Sequence, residues 1–165
     1  MSFELDLFQE ELRIKPSKFK TFDMGKKARI RPISICLLRR GEEILVHEAY
    51  DSVKERGFAR PLGGGIDFGE TGAAAAIREI KEELGADITE VELLGIVENI
   101  FVYEDKPGHE IVFVYDGRFV DQSLYGQESL DVVEGKRQFK AVWRSPAALR
   151  NGPHRLVPEQ IWDFL

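Results

Sequence analysis

The chain has 165 residues, 43% of them hydrophobic and 32% charged, and a net charge of −6 at pH 7. That length supports one domain with a full core, and the acidic balance gives no expectation of general nucleic-acid binding. One cysteine, Cys36, excludes an intrachain disulfide and fits a reducing compartment. No run approaches a membrane span, and the start MSFELDLFQEE lacks a basic region followed by a long apolar run. A cytoplasmic protein without a signal peptide is therefore expected.

Residues 1–12 mix Phe3, Leu5, Leu7, Phe8 and Leu12 with acids, a pattern that fits a short strand or a short helix. Residues 13–31 set eight basic side chains against one acid, Asp23, with Phe19 and Phe22 interleaved. The favoured reading is a solvated extension packed through its two aromatics. The alternative is a basic arm that meets a polyphosphate or RNA. Residues 1–29 are read as an N-terminal extension and 30–165 as the domain.

Ile30 to Arg39 alternates, with Ile33, Ile35 and Leu37 on one face, and reads as a strand. Arg40-Gly41-Glu42 makes a turn, and Ile44 to Ala49 returns as the second strand of a hairpin. Cys36 sits in the apolar run and reads as core, not as a nucleophile. Residues 51–57 read as a polar loop. Phe58 to Leu62 lead into Gly63-Gly64-Gly65, where the backbone can approach a ligand closely. Arg60, just before the glycines, is a candidate phosphate contact.

Residues 72–84 have helical spacing, with Thr71 as N-cap and Gly85 as the terminating glycine. Ala73, Ala76, Ile77, Ile80 and Leu84 form an apolar stripe expected to pack on a sheet. Glu79, Glu82 and Glu83, at i, i+3 and i+4, form an acidic stripe expected to face a cleft or solvent. Like charges so spaced repel, and a hard cation such as Mg²⁺, which takes carboxylate oxygens, resolves the conflict. Arg78 lies beside the stripe and can hold one glutamate in a fixed rotamer through a bidentate pair.

Val91 to Tyr103 reads as a long strand broken near Gly95, Asp105 to Gly108 as a turn, and His109 to Val120 as a central strand. Residues 121–138 are polar and weakly periodic, and are expected to be a functional or partly disordered loop. Ala141 to Arg144 reads as a short strand and Pro146 to Arg150 as a helix start. Pro158 to Leu165 reads as a terminal helix with Pro158 at its first position and Ile161, Trp162 and Leu165 facing the core. His47, His109 and His154 form no zinc spacing, and neither GxSxG nor the phosphate-loop pattern occurs. Strands around one strong helix give an α/β fold, a mixed sheet with helices on its faces.

Gly64, Glu70, Arg78, Glu79, Glu82, Glu83 and Gly85 fill the pattern G-x5-E-x7-R-E-U-x-E-E-x-G-U, with Ile80 and the small Ala86 at the apolar U positions. Seven fixed letters match by chance about once in 10⁸ starting positions. At these residues the chain resembles the Nudix hydrolase family. The resemblance implies a Nudix-type α/β/α sandwich with a mixed sheet over 30–165. It also implies hydrolysis of a nucleoside diphosphate linked to another moiety. Glu79, Glu82 and Glu83, with the Gly64 carbonyl, would hold Mg²⁺, with Mn²⁺ as a substitute. Glu70 would support the cluster and Arg78 would orient Glu79. The general base is open between Glu79 and a glutamate of the late loop, Glu128 or Glu134. Tyr103 stands about where the diadenosine polyphosphate hydrolases carry a tyrosine, and His109-Glu110 could line the mouth of the site. No proline stands where ADP-ribose pyrophosphatases carry one (Phe101 does), and the signature of the NADH-cleaving members is missing.

The substrates expected are dinucleoside polyphosphates, then (d)NTPs, then ADP-ribose or nucleotide sugars. The partner is a small nucleotide, with no membrane and no nucleic acid expected, and a homodimer is left open. Two alternatives stand beside this reading. One is a non-catalytic nucleotide sensor, and the other is an RNA-processing hydrolase using the basic 13–31 segment.

Overall fold

The computed structural model describes residues 29–165. The readings of residues 1–12, and of the basic segment up to residue 28, lie outside the described residues. Eight strands form one mixed sheet in the order β4-β5-β1-β3-β2-β7-β6, with β8 beside β3. The strands are β1 Arg31–Arg40, β2 Glu43–Asp51, β3 Arg56–Gly65, β4 Ile88–Tyr103, β5 Lys106–Phe119, β6 Ser129–Glu134, β7 Arg137–Arg144 and β8 His154–Leu156. Helix α1 is Gly72–Leu84 and the short α2 is Pro146–Asn151. Residues 122–126 and 159–164 form 3₁₀ turns. The β1–β5 and β3–β8 pairs are parallel and the rest antiparallel. This is the expected α/β arrangement with a mixed sheet.

Strand β1 is the centre of the sheet, and Ile33 to Leu38 are fully buried, as a strand covered on both faces requires. On one face Cys36, Leu38, Leu62, Ile80, Phe119 and Trp143 pack with α1. On the other, Ile33, Ile35, Val112, Val114, Leu149 and Ile161 pack with α2 and the C-terminal turn. Burial of Cys36 pushes its thiol up to about 12, so the residue is core, as read.

Strand β3, like β6 and β8, is not expected from the sequence. Pro61 and three glycines argue against a strand, yet β3 serves two partners in turn. Arg56 to Pro61 pair with β2, and Leu62 to Gly65 pair with β1. The change of partner divides the sheet into two halves, and the glycine triplet lies at the division. Gly63 has φ +136, and a Cβ there would lie 2.2 Å from the Ser34 carbonyl oxygen. Only glycine fits that approach.

Three further readings are corrected. The β4–β5 turn is not Asp105–Gly108 but the pair Glu104-Asp105, both with positive φ (50 and 57), and pairing resumes at Tyr103–Lys106. Two left-handed residues match the twist of a two-residue hairpin. The Glu104 carboxylate takes the Ser52 N–H at 2.8 Å and the Ser52 hydroxyl at 2.9 Å, which fixes the hairpin tip to the β2–β3 turn. Residues 121–138 are not a loop but a 3₁₀ turn, strand β6 and the start of β7. Their signal is short: Leu130 and Val132 alternate into the core, and Gly135 (φ +60) closes the turn. At the C-terminus the element is a 3₁₀ turn beginning at Glu159, and Leu165 is exposed. With three residues per turn, Ile161 and Phe164 share the inner face instead. Ile161 is fully buried, and the Phe164 ring packs on Gly95. β4 bulges at that point, with register shifts at 89–92 and 93–95, where a break near Gly95 was read. β5 is well buried, though it lies one place in from the edge of the sheet.

Candidate active site

Helix α1 is held at both ends as its sequence requires. The Thr71 hydroxyl accepts from the Ala74 N–H at 3.2 Å, and Gly85 at φ 67 donates to the Lys81 carbonyl at 3.0 Å. The buried face of the helix is Ala75, Ala76, Ile80 and Glu83. This corrects the expected stripe, since Ile77 is 42% exposed. The helix is rotated so that its acidic edge turns toward the sheet, and two alanines allow close approach to β1 and β3. The three glutamates therefore differ. Glu83 is buried, Glu79 is 16% exposed, and Glu82 is 61% exposed.

Arg78 gathers the acidic residues. Its Nε and Nη2 donate to the two oxygens of Glu70, each at 2.9 Å. Nη1 donates to Glu79 at 2.8 Å and to Glu82 at 3.3 Å. Nη2 also donates to the Gly65 carbonyl at 2.9 Å. The carboxylates push the guanidinium pKa up, and the Arg78 hydrogen bonds hold Glu70 below the usual carboxylate range. Glu79 lies flat against the glycine strand, because a Cβ on Gly64 would meet its carboxylate carbon at 2.4 Å.

Glu83 is the unusual group. Burial pushes its pKa up to about 7, and the charges of Glu79 and Glu134 add to the effect. The Gly63 N–H and Arg60 pull the other way. Its Oε2 is buried and has no hydrogen-bond partner. A buried carboxylate oxygen without a donor, next to a second carboxylate, is a site that a hard divalent cation would satisfy. Among the described residues no three acidic, histidine or cysteine side chains are already drawn together at ligand geometry. The donor set nevertheless fits such an ion: one carboxylate is clamped by Arg78, one is unpartnered, and both lie against glycine backbone.

Glu83 lines a cleft of about 940 Å³. Gly63, Arg60, Tyr103 and Glu134 line this cleft with it, which brings four sequence-read positions together. Tyr103 meets Phe58 edge-on at 5.6 Å. Glu134 comes from the end of β6, while Glu128 is exposed before that strand and outside the cleft lining. His109 is also outside it, half-buried with its Nε2 3.9 Å from Glu98. Alternation along β5 puts the neighbouring Glu110 into the cleft instead, where it meets Asn99 at 3.2 Å and Arg31 at 3.8 Å.

His47 was not singled out for the site. It stacks on Phe139 at 3.9 Å and lies opposite Arg60 in the β2–β3 ladder. Burial lowers its pKa, with Glu134 opposing and Arg60 assisting. The alternation of β2 carried the signal, since His47, Ala49 and Asp51 all reach the cleft. Using that signal required knowing that β3 is its partner.

Comparison with known proteins places these features. A family model for the NUDIX domain matches residues 28–161. A MutT NUDIX hydrolase from Burkholderia pseudomallei is similar in structure at 24% identity, with a TM-score of 0.58 over 79% of this chain and 92% of that one. A NUDIX hydrolase from Nitrosomonas europaea is similar at 18% identity, with a TM-score of 0.58 over 82% and 88%. The mMutator MutT protein from Bacillus halodurans is similar at 18% identity, with a TM-score of 0.51 over 80% of its length and 82% of this chain. At these identities the structural likeness establishes the fold, and the family match spans most of the sequence. The chain belongs to the Nudix hydrolase family.

Proposed function

We propose that the protein is a Mg²⁺-dependent pyrophosphohydrolase that cleaves the phosphoric anhydride of a nucleoside diphosphate linked to another moiety. The observation that carries this reading is the unpartnered buried oxygen of Glu83, beside the Arg78-clamped Glu79, in the wall of a cleft that Arg60 also lines. Glu79, Glu82 and Glu83, with the Gly64 carbonyl, would hold the cation, and Mn²⁺ would substitute. When bound, the ion neutralises charge on the phosphoryl oxygens as it builds up in the transition state.

The chain's own residues supply the rest. Arg78 fixes the Glu79 rotamer, and Glu70 completes that clamp. Arg60 contacts the phosphates, and Tyr103 with Phe58 offers an aromatic wall to the nucleoside. Glu134 accepts the proton of the attacking water. The water oxygen bonds to phosphorus as the bridging P–O bond breaks, and the second phosphate leaves with the electron pair. Glu134 is preferred over Glu128 because it alone of the two lines the cleft. The substrate order remains dinucleoside polyphosphates, then (d)NTPs, then ADP-ribose or nucleotide sugars. The buried, unreactive Cys36 suits a cytoplasmic location. Among the described residues no helix is long and apolar enough to cross a membrane.

The test is a panel of these nucleotides with Mg²⁺ and with Mn²⁺, using Glu83→Gln as the blank. Metal-dependent phosphate release by the wild type alone is expected. A wild type that binds nucleotides and releases no product would replace the reading with that of a sensor.

A further inference from the structure

Six cationic side chains line the cleft of this acidic protein: Arg31, Lys54, Arg56, Arg60, Arg150 and Arg155. Three of them are engaged. Arg31 faces Glu110 at 3.8 Å, Lys54 faces Asp51 at 3.5 Å, and Arg150 lies over the Trp162 ring at 4.2 Å. Arg56, Arg60 and Arg155 have no ion pair and no side-chain hydrogen bond among the described residues. Arg60 is already placed on the phosphates. Arg56 and Arg155 lie beyond it.

Strand β3 sets the order in which a bound molecule meets these groups. Going from Gly64 toward its start, the alternate cleft-lining residues beyond Leu62 are Arg60, Phe58 and Arg56, at four, six and eight steps. An extended chain makes those about 13, 20 and 26 Å. The floor therefore reads acidic corner, cation, aromatic, cation. Strand β8 adds a cation at the level of the aromatic, since Arg155 pairs with Phe58 in a parallel ladder. That register is built in. The Val157 N–H donates to the Ala59 carbonyl at 2.9 Å, and a Cβ on Gly57 would meet the His154 ring at 2.5 Å. His154 in turn faces Glu48 at 3.4 Å, and Arg144 holds Glu48 with two bonds at 2.7 and 3.0 Å.

A nucleoside diphosphate accounts for the corner, Arg60 and the aromatic wall, and of the remaining cleft-lining acids neither Asp51, paired with Lys54, nor Glu159 forms an ion pair with the distal arginines among the described residues. We infer that Arg56 and Arg155 form a second anion site. It takes a phosphate on the 2′ or 3′ oxygen of the bound ribose, so within each of the proposed substrate classes a nucleotide that also carries that phosphate is bound more tightly. This rests on the Proposed function for the orientation of the nucleotide. Asp51, across the ladder from Arg56, does not fill the site, because it accepts the N–H groups of Val53 at 3.1 Å and Lys54 at 3.0 Å.

The test is calorimetric titration of the Mg²⁺-loaded protein with three probes that contain no anhydride: adenosine 5′-monophosphate, adenosine 3′,5′-bisphosphate and the dinucleotide pApA. Turnover then plays no part in the result. The bisphosphate is expected to bind about tenfold or more tightly than the monophosphate. That advantage should shrink at high salt. It should fall to about threefold or less in the Arg56→Gln, Arg155→Gln double variant, in which unchanged monophosphate binding shows that the fold is intact. Tightening by the bisphosphate alone assigns the site to a terminal phosphate, and equal tightening by pApA assigns it to a phosphate within a chain. Either outcome supports the site. Equal binding of monophosphate and bisphosphate by the wild type, or an advantage that survives in the double variant, overturns it. Failure of the hydrolysis panel with the bisphosphate preference intact would count against the catalytic reading and not against this one.

Discussion

Arg78 uses its five N–H donors in five hydrogen bonds, reaching Glu70, Glu79, Glu82 and the Gly65 carbonyl. Lysine carries a point charge and cannot reproduce that fork. Arg78→Lys is expected to lower kcat about 10- to 100-fold with little change in KM, the pattern of a positioning residue. Steady-state kinetics at saturating Mg²⁺ would read it, and a purely structural role would predict unchanged kcat with a lower melting temperature. Glu83 gives a second prediction. Its folded pKa of about 7 lies above the ordinary 4.5, so the folded state holds that proton more tightly than the unfolded state. The metal-free protein should therefore lose stability as pH rises from about 4.5 to about 7 and stay at the lower level above. Glu83→Gln should remove this loss, so that at pH 8 the metal-free variant melts several degrees above the wild type, at roughly 2 to 4 °C per kcal/mol. Equal melting temperatures at pH 8 would show that Glu83 is not desolvated. The acidic residues and the Arg78–Glu79 pairing were legible in the sequence because they are local to one helix. The difference between buried Glu83 and exposed Glu82 was not, because it depends on how the helix is rotated against β3.

At the scale of elements, β3 and α1 meet at the glycines, and two of these have different tasks. A methyl on Gly63 would strike the Ser34 carbonyl, a backbone atom of β1, at a φ that other residues avoid. Gly63→Ala is expected to cost about 2 kcal/mol or more in urea denaturation. The nearest atoms that a methyl on Gly64 would meet are those of the Glu79 carboxylate, a side chain and not the backbone. Gly64→Ala should retain most of the stability and lose activity, because the carboxylate must leave its place. If both variants lost stability equally, the assignment of Gly64 to the site would be wrong. Caps, the first hairpin and the long β4 and β5 strands could be read from local pattern. β3 could not, since its pairing with two strands contradicts its proline and glycine content. Nor could β6, whose core signal is two residues, Leu130 and Val132.

For the molecule as a whole, the site exists because remote parts of the chain converge on one cleft. Glu83 comes from α1, Arg60 and Gly63 from β3, Tyr103 from the end of β4, and Glu134 from β6 at the far edge of the sheet. The sequence motif shows one corner of that arrangement. It contains no information about which late glutamate returns to the corner, which is why Glu128 and Glu134 were equivalent until the strands were placed. Glu134→Gln is therefore expected to lower kcat by about 10² or more with the metal requirement unchanged, and Glu128→Gln to leave kcat within about twofold. Loss of activity in the Glu128 variant alone would reverse the assignment. The most direct test of the central claim is ³¹P NMR of a dinucleoside tetraphosphate incubated with Mg²⁺ and either the wild type or Glu83→Gln, read beside the other nucleotides of the panel. Metal-dependent appearance of two shorter nucleotides is expected with the wild type and essentially none with the variant. Equal product formation by the two proteins, or no product from any anhydride of the panel with the wild type, would contradict it.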